Sequence, residues 1–409
     1  MLRACPRKTA MNRLLTASVL LALAAPAVAA GSSPLSFEWN ARLRHEAVDD
    51  DAFARDAEAT MLRLRAGLRW RIAPGWEAFA EGEGVAAPGD DYNSGANGRT
   101  AYPSVVDPEG AELNQAWLRW QGGKANATLG RQRLLLDNQR WVGNVGWRQN
   151  EQTFDALVLG AKPAAPVALT YAWLDRVHRV SGDDAIDPLA RERDLDAHLL
   201  NAAWTRGDHR LVGYAYAVED QDLAAASTRT LGLRYALAPK AGTRRFGITA
   251  EFARQVDHAG NPLDFSHDYR LLEPALALPG MTLRAGQELL GGTGTHALQT
   301  PLATLHAFNG WADKFLVTPA AGLDDRYVAA NGQLAKSRAL GALEWTLAWH
   351  DYRADAGDMR YGREWNASLA MPFGPQWKAL AKVADYRADR FARDTTKLWL
   401  QLEWSGVRP

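Results

Sequence analysis

The chain has 409 residues with 47 Lys plus Arg and 47 Asp plus Glu, so its formal net charge at pH 7 is zero. This balance provides no overall attraction to nucleic acid or to an anionic membrane surface, and we expect no nucleic-acid partner. The single cysteine, Cys5, lies before the first apolar run, so the rest of the chain has neither a disulfide nor a thiol nucleophile.

The N-terminus has the features of a secretory signal peptide. Four basic residues in positions 3–13 precede an apolar run at residues 14–25, and small residues follow it up to Ala30. A permanent membrane helix needs about 20 apolar residues, so this run is too short for one. We predict a signal peptide over residues 1–30, starting at Met1 or Met11, and a single domain over residues 31–409.

The first segments of this domain alternate strictly between apolar and polar residues. In residues 62–72, Leu62, Leu64, Leu68 and Ile72 alternate with arginines, and residues 35–46 repeat the pattern. Successive side chains of a β-strand point to opposite faces, so these segments are predicted strands with one apolar and one arginine-rich face. Similar alternation continues to the last strand, predicted over residues 397–404.

The strands suit a membrane barrel better than a soluble sandwich. They are about ten residues long, as tilted membrane strands are, and Trp and Tyr lie near their ends. No later segment is apolar enough for a membrane helix, so a closed barrel is the remaining way to span lipid. We therefore predict an all-β fold, a single transmembrane antiparallel β-barrel of 16–18 strands in the outer membrane of a Gram-negative cell.

Three segments do not fit strands. Residues 84–110 and 181–193 are rich in turn-forming or charged residues and are predicted to be loops, the first of them a long outer loop. Residues 291–323 form the longest irregular segment. Long ordered loops often carry function, so we expect part of residues 291–323 to lie inside the barrel and to narrow it.

Several distributed segments resemble the alginate-export family of outer-membrane barrels. They are residues 130–134, 137–143, 146–150, 299–315, 350–355, 361–365 and 384–389. The resemblance implies a barrel of about 18 strands whose arginine-lined pore passes an anionic uronate polymer. The expected partners are outer-membrane lipid, an anionic oligo- or polysaccharide, the barrel-assembly machinery and a periplasmic export partner.

Ten arginines are the candidate pore-lining residues. Guanidinium groups remain charged and bind carboxylates in a bidentate manner, so a row of arginines favours a chain of uronates. An alternative is that Glu38, Glu77, Glu81 and Glu83 pair with these arginines and stiffen the wall. The candidates are Arg42, Arg44, Arg63, Arg65, Arg69, Arg71, Arg131, Arg133, Arg140 and Arg148.

The preferred function is passage of an alginate-like polymer through an arginine-lined pore, with a porin or uptake channel for small anions as the alternative. The sequence separates these two poorly, because both need a barrel with a basic lumen. No serine-hydrolase, zinc-protease or P-loop motif occurs, so we expect no enzyme, catalytic residue, metal or cofactor. An outer-membrane hydrolase is the remote alternative, because barrel hydrolases carry no local motif.

Overall fold

The computed structural model describes residues 33–240, 242, 244–334 and 341–408, which form one closed antiparallel barrel of 18 strands. The predicted signal peptide, residues 1–30, lies outside the described residues. Each strand pairs with its neighbours in the chain, and the first strand pairs with the last over residues 37–50 to close the wall. Eighteen strands fulfil the predicted count and the even number typical of bacterial barrels.

The strands are long because each crosses a membrane at a tilt. They are β1 (Leu35–Asp50), β2 (Ala57–Ala73), β3 (Trp76–Ala86), β4 (Gly110–Gln121), β5 (Ala125–Gln132), β6 (Thr153–Ala161), β7 (Val167–His178), β8 (Glu192–Arg206), β9 (His209–Asp220), β10 (Thr228–Leu237), β11 (Phe246–Asp257), β12 (Ser266–Leu278), β13 (Met281–Leu290), β14 (Leu323–Leu334), β15 (Leu343–Arg353), β16 (Arg360–Phe373), β17 (Trp377–Ala388) and β18 (Thr395–Arg408). No helix among the described residues has the length and apolar character needed to cross a membrane.

The alternation of the strands sorts side chains between the outer surface and the interior. On β2, Leu62 and Leu68 are each 50% exposed, whereas Arg63 between them is 1% exposed. The last strand follows the same rule, with Leu398 and Leu400 outward and Lys397 buried inside. The predicted orientation of these faces is therefore confirmed. An outward apolar band is what a barrel in lipid needs.

The two ends of the barrel differ. Turns of a few residues, such as the one at Gly75, join strands at one end, whereas the long loops lie at the other. Aromatic rings gather near the short-turn end, where Trp39 and Trp377 each pack against Trp404 at centroid distances of 5.4 and 5.9 Å. In outer-membrane barrels the short turns face the periplasm, so the long loops lie outside the cell.

The barrel encloses a packed apolar core. Buried side chains from the wall, such as Tyr269, Tyr352 and Trp399, contact buried residues of long loops, such as Leu298 and Phe315. A barrel of this size has room for a wide aqueous lumen. Here part of that space is filled by the protein itself.

Candidate functional site: the occupied lumen

Three long loops enter the lumen from the long-loop end. They are the β3–β4 loop (residues 87–109), the β5–β6 loop (residues 133–152) and the β13–β14 loop (residues 291–322). Their buried side chains and backbone groups contact inward-facing residues of the wall. We refer to these three loops together as the plug.

Arginines of β1 and β2 hold the β5–β6 loop by its backbone. Arg42 donates hydrogen bonds of 3.2 Å to the carbonyl oxygens of Gly146, Trp147 and Arg148, and Arg44 donates one of 2.6 Å to that of Trp147. Arg44 also stacks over the Trp147 ring, with Cζ 4.1 Å from its centroid. Guanidinium offers five donors in a fixed plane, so one side chain can satisfy several buried carbonyls.

The neighbouring strand contributes a second pair of anchors. Arg63 and Arg65 both donate to the carbonyl oxygen of Gln149, over 3.3 and 3.0 Å. Arg65 also forms ion pairs with Glu83 of the wall and Glu151 of the β5–β6 loop. The arginines of β1 and β2 that were predicted to line the pore therefore bind backbone carbonyls of the β5–β6 loop.

The β3–β4 loop reaches the same place through Asp107. Its Oδ1 accepts a hydrogen bond of 2.6 Å from the backbone N–H of Gln149, and its other oxygen lies 3.8 Å from Arg44 and 3.9 Å from Arg148. Burial raises the pKa of Asp107 above its usual range, although both arginines act to lower it. The expectation that residues 84–110 form only an outer loop was incomplete, because β3 continues to Ala86 and Asp107 is fully buried inside.

The β13–β14 loop enters the lumen, as predicted, and is held there by a chain of polar contacts. Lys382 of β17 lies 2.6 Å from Nε2 of His306, and Nδ1 of His306 lies 2.6 Å from Asp313. An ammonium group can only donate, so Nε2 accepts and the proton of the neutral ring lies on Nδ1, where it is donated to Asp313. Burial, opposed by Asp313 and assisted by Lys382, lowers the pKa of His306 to about 3, which favours this neutral ring.

Aromatic rings enclose the Lys382 ammonium. It lies 4.0 Å from the centroid of Trp147 and 3.8 Å from that of Trp311, which belong to two different loops. Trp147 in turn stacks on His306 with centroids 4.6 Å apart and ring planes 6° apart. A cation between aromatic faces is attracted by both rings, and the attraction grows when water is excluded. Lys382 therefore ties the β5–β6 and β13–β14 loops to each other and to the wall.

Asp313 forms ion pairs with several cations of this region. Besides His306 it accepts from Arg148 over 3.1 Å and from Lys397 of β18 over 3.0 Å. Burial alone would raise its pKa, but His306, Lys397 and Arg148 hold it well below the usual value. The buried carboxylate is therefore ionised and links the β5–β6 and β13–β14 loops to β18.

Two further contacts complete the docking of the β13–β14 loop. Glu364 of β16 accepts from the backbone N–H groups of Trp311 and Ala312, over 2.5 and 2.8 Å. Arg140 of the β5–β6 loop pairs with Glu288 of β13 over 2.7 Å and donates to Asn309 over 3.1 Å. Most buried polar groups at these points have partners, as a stable interior requires.

The ten candidate arginines fall into distinct environments. Arg42, Arg44, Arg63, Arg65, Arg140 and Arg148 are buried plug contacts. Arg69 and Arg133 face the lumen with side chains 24% and 31% exposed, and each pairs with acidic groups, Arg69 with Glu38 and Glu77 and Arg133 with Glu81 and Glu151. Arg71 is exposed at the short-turn end. Pairing with Glu38, Glu77, Glu81 or Glu83, the alternative from the sequence, thus describes Arg65, Arg69 and Arg133. Arg42 forms a further cross-strand pair, with Glu403 of β18.

Arg131 differs from its expected position inside the lumen. It shares a face of β5 with Leu129, which is 58% exposed on the outer surface, and it pairs outward with Asp155 over 3.0 Å. The cause is simple alternation, since Gly130 lies opposite inward-facing Trp117 in the register. The segment 130–134 was interpreted by its resemblance, which carries no information about the direction of a side chain.

Other site residues were not predicted. Arg119 faces the lumen beside Arg69, with its guanidinium 4.4 Å from the Trp117 centroid, and Lys382, Lys397, Asp313 and Glu364 organise the plug. The signal for Lys397 was present in the alternation of the last strand. Lys382 alternates in the same way with the buried Ala384 and Tyr386. Within the described ranges, no group of three or more His, Cys, Asp or Glu residues could hold a metal ion.

Comparison with known proteins agrees with this architecture. The alginate export family model matches residues 33–183. The structure is similar to the outer-membrane protein OpdK of Pseudomonas aeruginosa, at 13% identity over 91% of this chain and 99% of that one, with a TM-score of 0.69. It is also similar to OccK9 (OpdG) of the same organism, at 14% identity over 91% of this chain and 98% of that one, with a TM-score of 0.71.

Similarity extends to a second organism. OccAB2 of Acinetobacter baumannii matches at 13% identity over 92% of this chain and 98% of that one, with a TM-score of 0.70. A comparison with curated protein sequences finds no match. The chain is thus an outer-membrane β-barrel of 18 strands, and its residues 33–183 match the alginate export family.

Proposed function

We propose that the protein is a channel for small solutes that carry a carboxylate. The observation that carries this proposal is the plug, which occupies the middle of the lumen and is anchored by buried arginines from β1 and β2. An extended polymer needs a wide continuous passage, whereas a small solute can pass between anchored loops and a wall.

The partly exposed lumen arginines supply the selectivity. Arg69 and Arg119 lie near the short-turn end, and Arg133 lies at the edge of the plug. The charge of each arginine is offset by a paired glutamate or the arginine is hydrogen-bonded to a polar neighbour. Each arginine therefore offers a site that binds the carboxylate of a solute only weakly. Weak binding at successive sites lets a solute move on, whereas one tight site would retain it. The solved structure of OpdK with vanillate, an aromatic carboxylate, supports this solute class.

Passage of a uronate polymer is the second candidate. The match of residues 33–183 to the alginate export family favours it. A uronate chain carries one carboxylate per sugar, so both candidates share their binding chemistry and differ in the size of the solute. A polymer would require the plug to leave the lumen during passage.

Planar-bilayer recordings distinguish the two candidates. With a gradient of sodium benzoate across the membrane, the reversal potential should show that benzoate carries current through the channel. Oligogalacturonates of increasing length should block this current from one side and should not carry it. Passage of long oligogalacturonates into liposomes would favour the polymer, and a channel that prefers sodium over benzoate would contradict both candidates.

A further inference from the structure

The outer surface of the barrel carries a row of charges across four adjacent strands at the long-loop end. In the register of the sheet, Arg326 of β14 lies opposite Asp351 of β15, Asp351 opposite Arg363 of β16, and Arg363 opposite Arg387 of β17. The three arginines are exposed. Two of the three pair with carboxylates beside the row, Arg326 with Asp324 over 2.7 Å and Arg387 with Asp385 and Asp394 over 2.6 and 3.3 Å.

Asp351 is already occupied by other partners. It accepts a hydrogen bond of 2.9 Å from Arg353, and Arg360 donates to its other oxygen. Across the described part of the chain, no carboxylate lies within ion-pair distance of Arg363, whose second register neighbour is the cation Arg387. An exposed guanidinium at the headgroup level without an acidic partner attracts anionic lipid headgroups.

A pair of tryptophans lies directly below this row. Trp349 of β15 pairs in register with Trp365 of β16, and their ring centroids are 6.5 Å apart. Together with Arg363 and Arg387 they line an outward-facing cleft of about 480 Å³. Asp385 and Asp389 also line the cleft, and Asp385 pairs with Arg387 over 2.6 Å. The cleft therefore combines aromatic faces with the guanidinium of Arg363, which no carboxylate of the described residues pairs with.

The position of the cleft relative to the membrane follows from the length of β16. Outward-facing residues of β16 from Trp365 to Phe373 span eight residue steps, or about 21 Å of thickness for a strand tilted by about 40°. This matches an apolar band of about 25 Å between aromatic girdles. Arg363 is one outward position beyond Trp365, at the level of the headgroups of the outer leaflet.

We propose that this cleft, formed by Arg363, Arg387, Trp349 and Trp365, binds the headgroup of a phosphorylated saccharolipid of the outer leaflet. Guanidinium matches the geometry of phosphate in a bidentate manner. Indole rings offer flat faces on which the C–H groups of a sugar can pack, and Trp is enriched at the interface between lipid and water. Acyl chains of such a lipid would continue along the apolar band below the cleft.

The test compares two double variants of the purified full barrel in detergent by native mass spectrometry. Arg363→Gln with Arg387→Gln removes the two donors of the cleft. Arg229→Gln with Arg254→Gln is the matched control, because both residues are exposed, face outward at the same end on β10 and β11, and lie above Leu231 and Phe252. The probes are bisphosphorylated lipid A, monophosphorylated lipid A and phosphatidylglycerol.

We expect the parent and the control to retain bisphosphorylated lipid A, and the cleft variant to bind it at least tenfold more weakly. Monophosphorylated lipid A should bind the parent less than the bisphosphorylated form. Trp365→Leu should weaken lipid A and leave phosphatidylglycerol unchanged, and the heat-dependent gel mobility of each variant reports an intact barrel. Equal lipid A binding by the parent and the cleft variant would overturn the proposal. Equal retention of phosphatidylglycerol and lipid A by the parent would overturn the assignment to a saccharolipid.

Discussion

Lys382 and His306 are joined by a 2.6 Å hydrogen bond inside the lumen, between a strand of the wall and the β13–β14 loop. The contact places an ammonium and an imidazole side by side in a site from which water is excluded. It is stable because Trp147 and Trp311 flank the ammonium and Asp313 accepts the proton of the ring. The position of the β13–β14 loop thus depends on one proton being absent from His306.

Acid should therefore release the β13–β14 loop. A released His306 has an ordinary pKa of about 6.5, whereas the docked ring has a pKa of about 3, so the released form binds the extra proton as the pH falls from 6.5 towards 3. At pH 5 the difference favours release by about 2 kcal/mol. Asp313 acts in the same direction at lower pH, since its docked pKa is depressed and its stabilisation is lost on acidification. Single-channel conductance should be constant from pH 8 to 7 and rise, with more frequent open steps, between pH 6 and 4.5.

His306→Gln provides the control for this pH dependence. The amide can accept from Lys382 and donate to Asp313 without titrating in this range. The conductance of the variant should rise less between pH 7.5 and pH 5 than that of the parent. A parent channel whose conductance falls or stays flat on acidification would contradict the mechanism.

Deletion of the β13–β14 loop should widen the passage. Replacing residues 294–320 by a short Gly–Ser turn removes His306, Asp313 and the backbone groups bound by Glu364, while β13 and β14 keep their pairing. We expect a severalfold larger conductance and weaker solute selectivity, measured in planar bilayers. Unchanged conductance would mean that the passage does not run past this loop.

Gly310→Ala should loosen the same loop without a deletion. Gly310 has φ +86°, and an added Cβ would lie 2.1 Å from the Tyr352 hydroxyl and within collision distance of Glu364. The left-handed conformation alone costs an L-residue about 1–2 kcal/mol, and the collision adds to this. Channel noise and protease cleavage within residues 291–322 should both increase. Gly294→Ala is a matched control, because Gly294 also has positive φ but nothing within 4 Å of its Cβ.

Arg69→Gln with Arg119→Gln should weaken the preference for anions at the short-turn end of the lumen. Arg69 compensates Glu38 and Glu77, each over 2.6 Å, so its loss leaves both carboxylates facing the passage. The field in a narrow passage follows nearby charges, and we expect the anion-to-cation permeability ratio to fall severalfold at low salt. Reversal potentials in a KCl gradient measure it.

Arg63→Gln with Arg65→Gln should behave differently. These arginines hold the Gln149 carbonyl in the buried plug, so their loss should raise current noise more than it changes selectivity. If both double variants change selectivity equally, the passage runs past Gln149 and the plug is more open than its contacts indicate.

Much of the wall could be predicted from the sequence, because the period of two is a local property. Leu62 and Arg63 lie on the predicted faces, and the strand count follows from segment length. The interior could not be predicted in the same way. Contacts such as Arg42 with Gly146, or Lys382 with His306, join residues far apart in the chain, and their formation depends on how loops fold back. Arg131 was misplaced because a motif identifies a segment but does not report its register.

The seam between β1 and β18 has a consequence for assembly. Arg42 faces Glu403 and Arg44 faces Gln401 across it, and the same two arginines hold the β5–β6 loop, while Lys397 of β18 holds Asp313. The wall closes where β1 pairs with β18, so the seam cannot form until the strands between them are in place. Folding of the interior and closure of the wall therefore share the same side chains, and a barrel that closes without its loops in place would leave these cations without their partners.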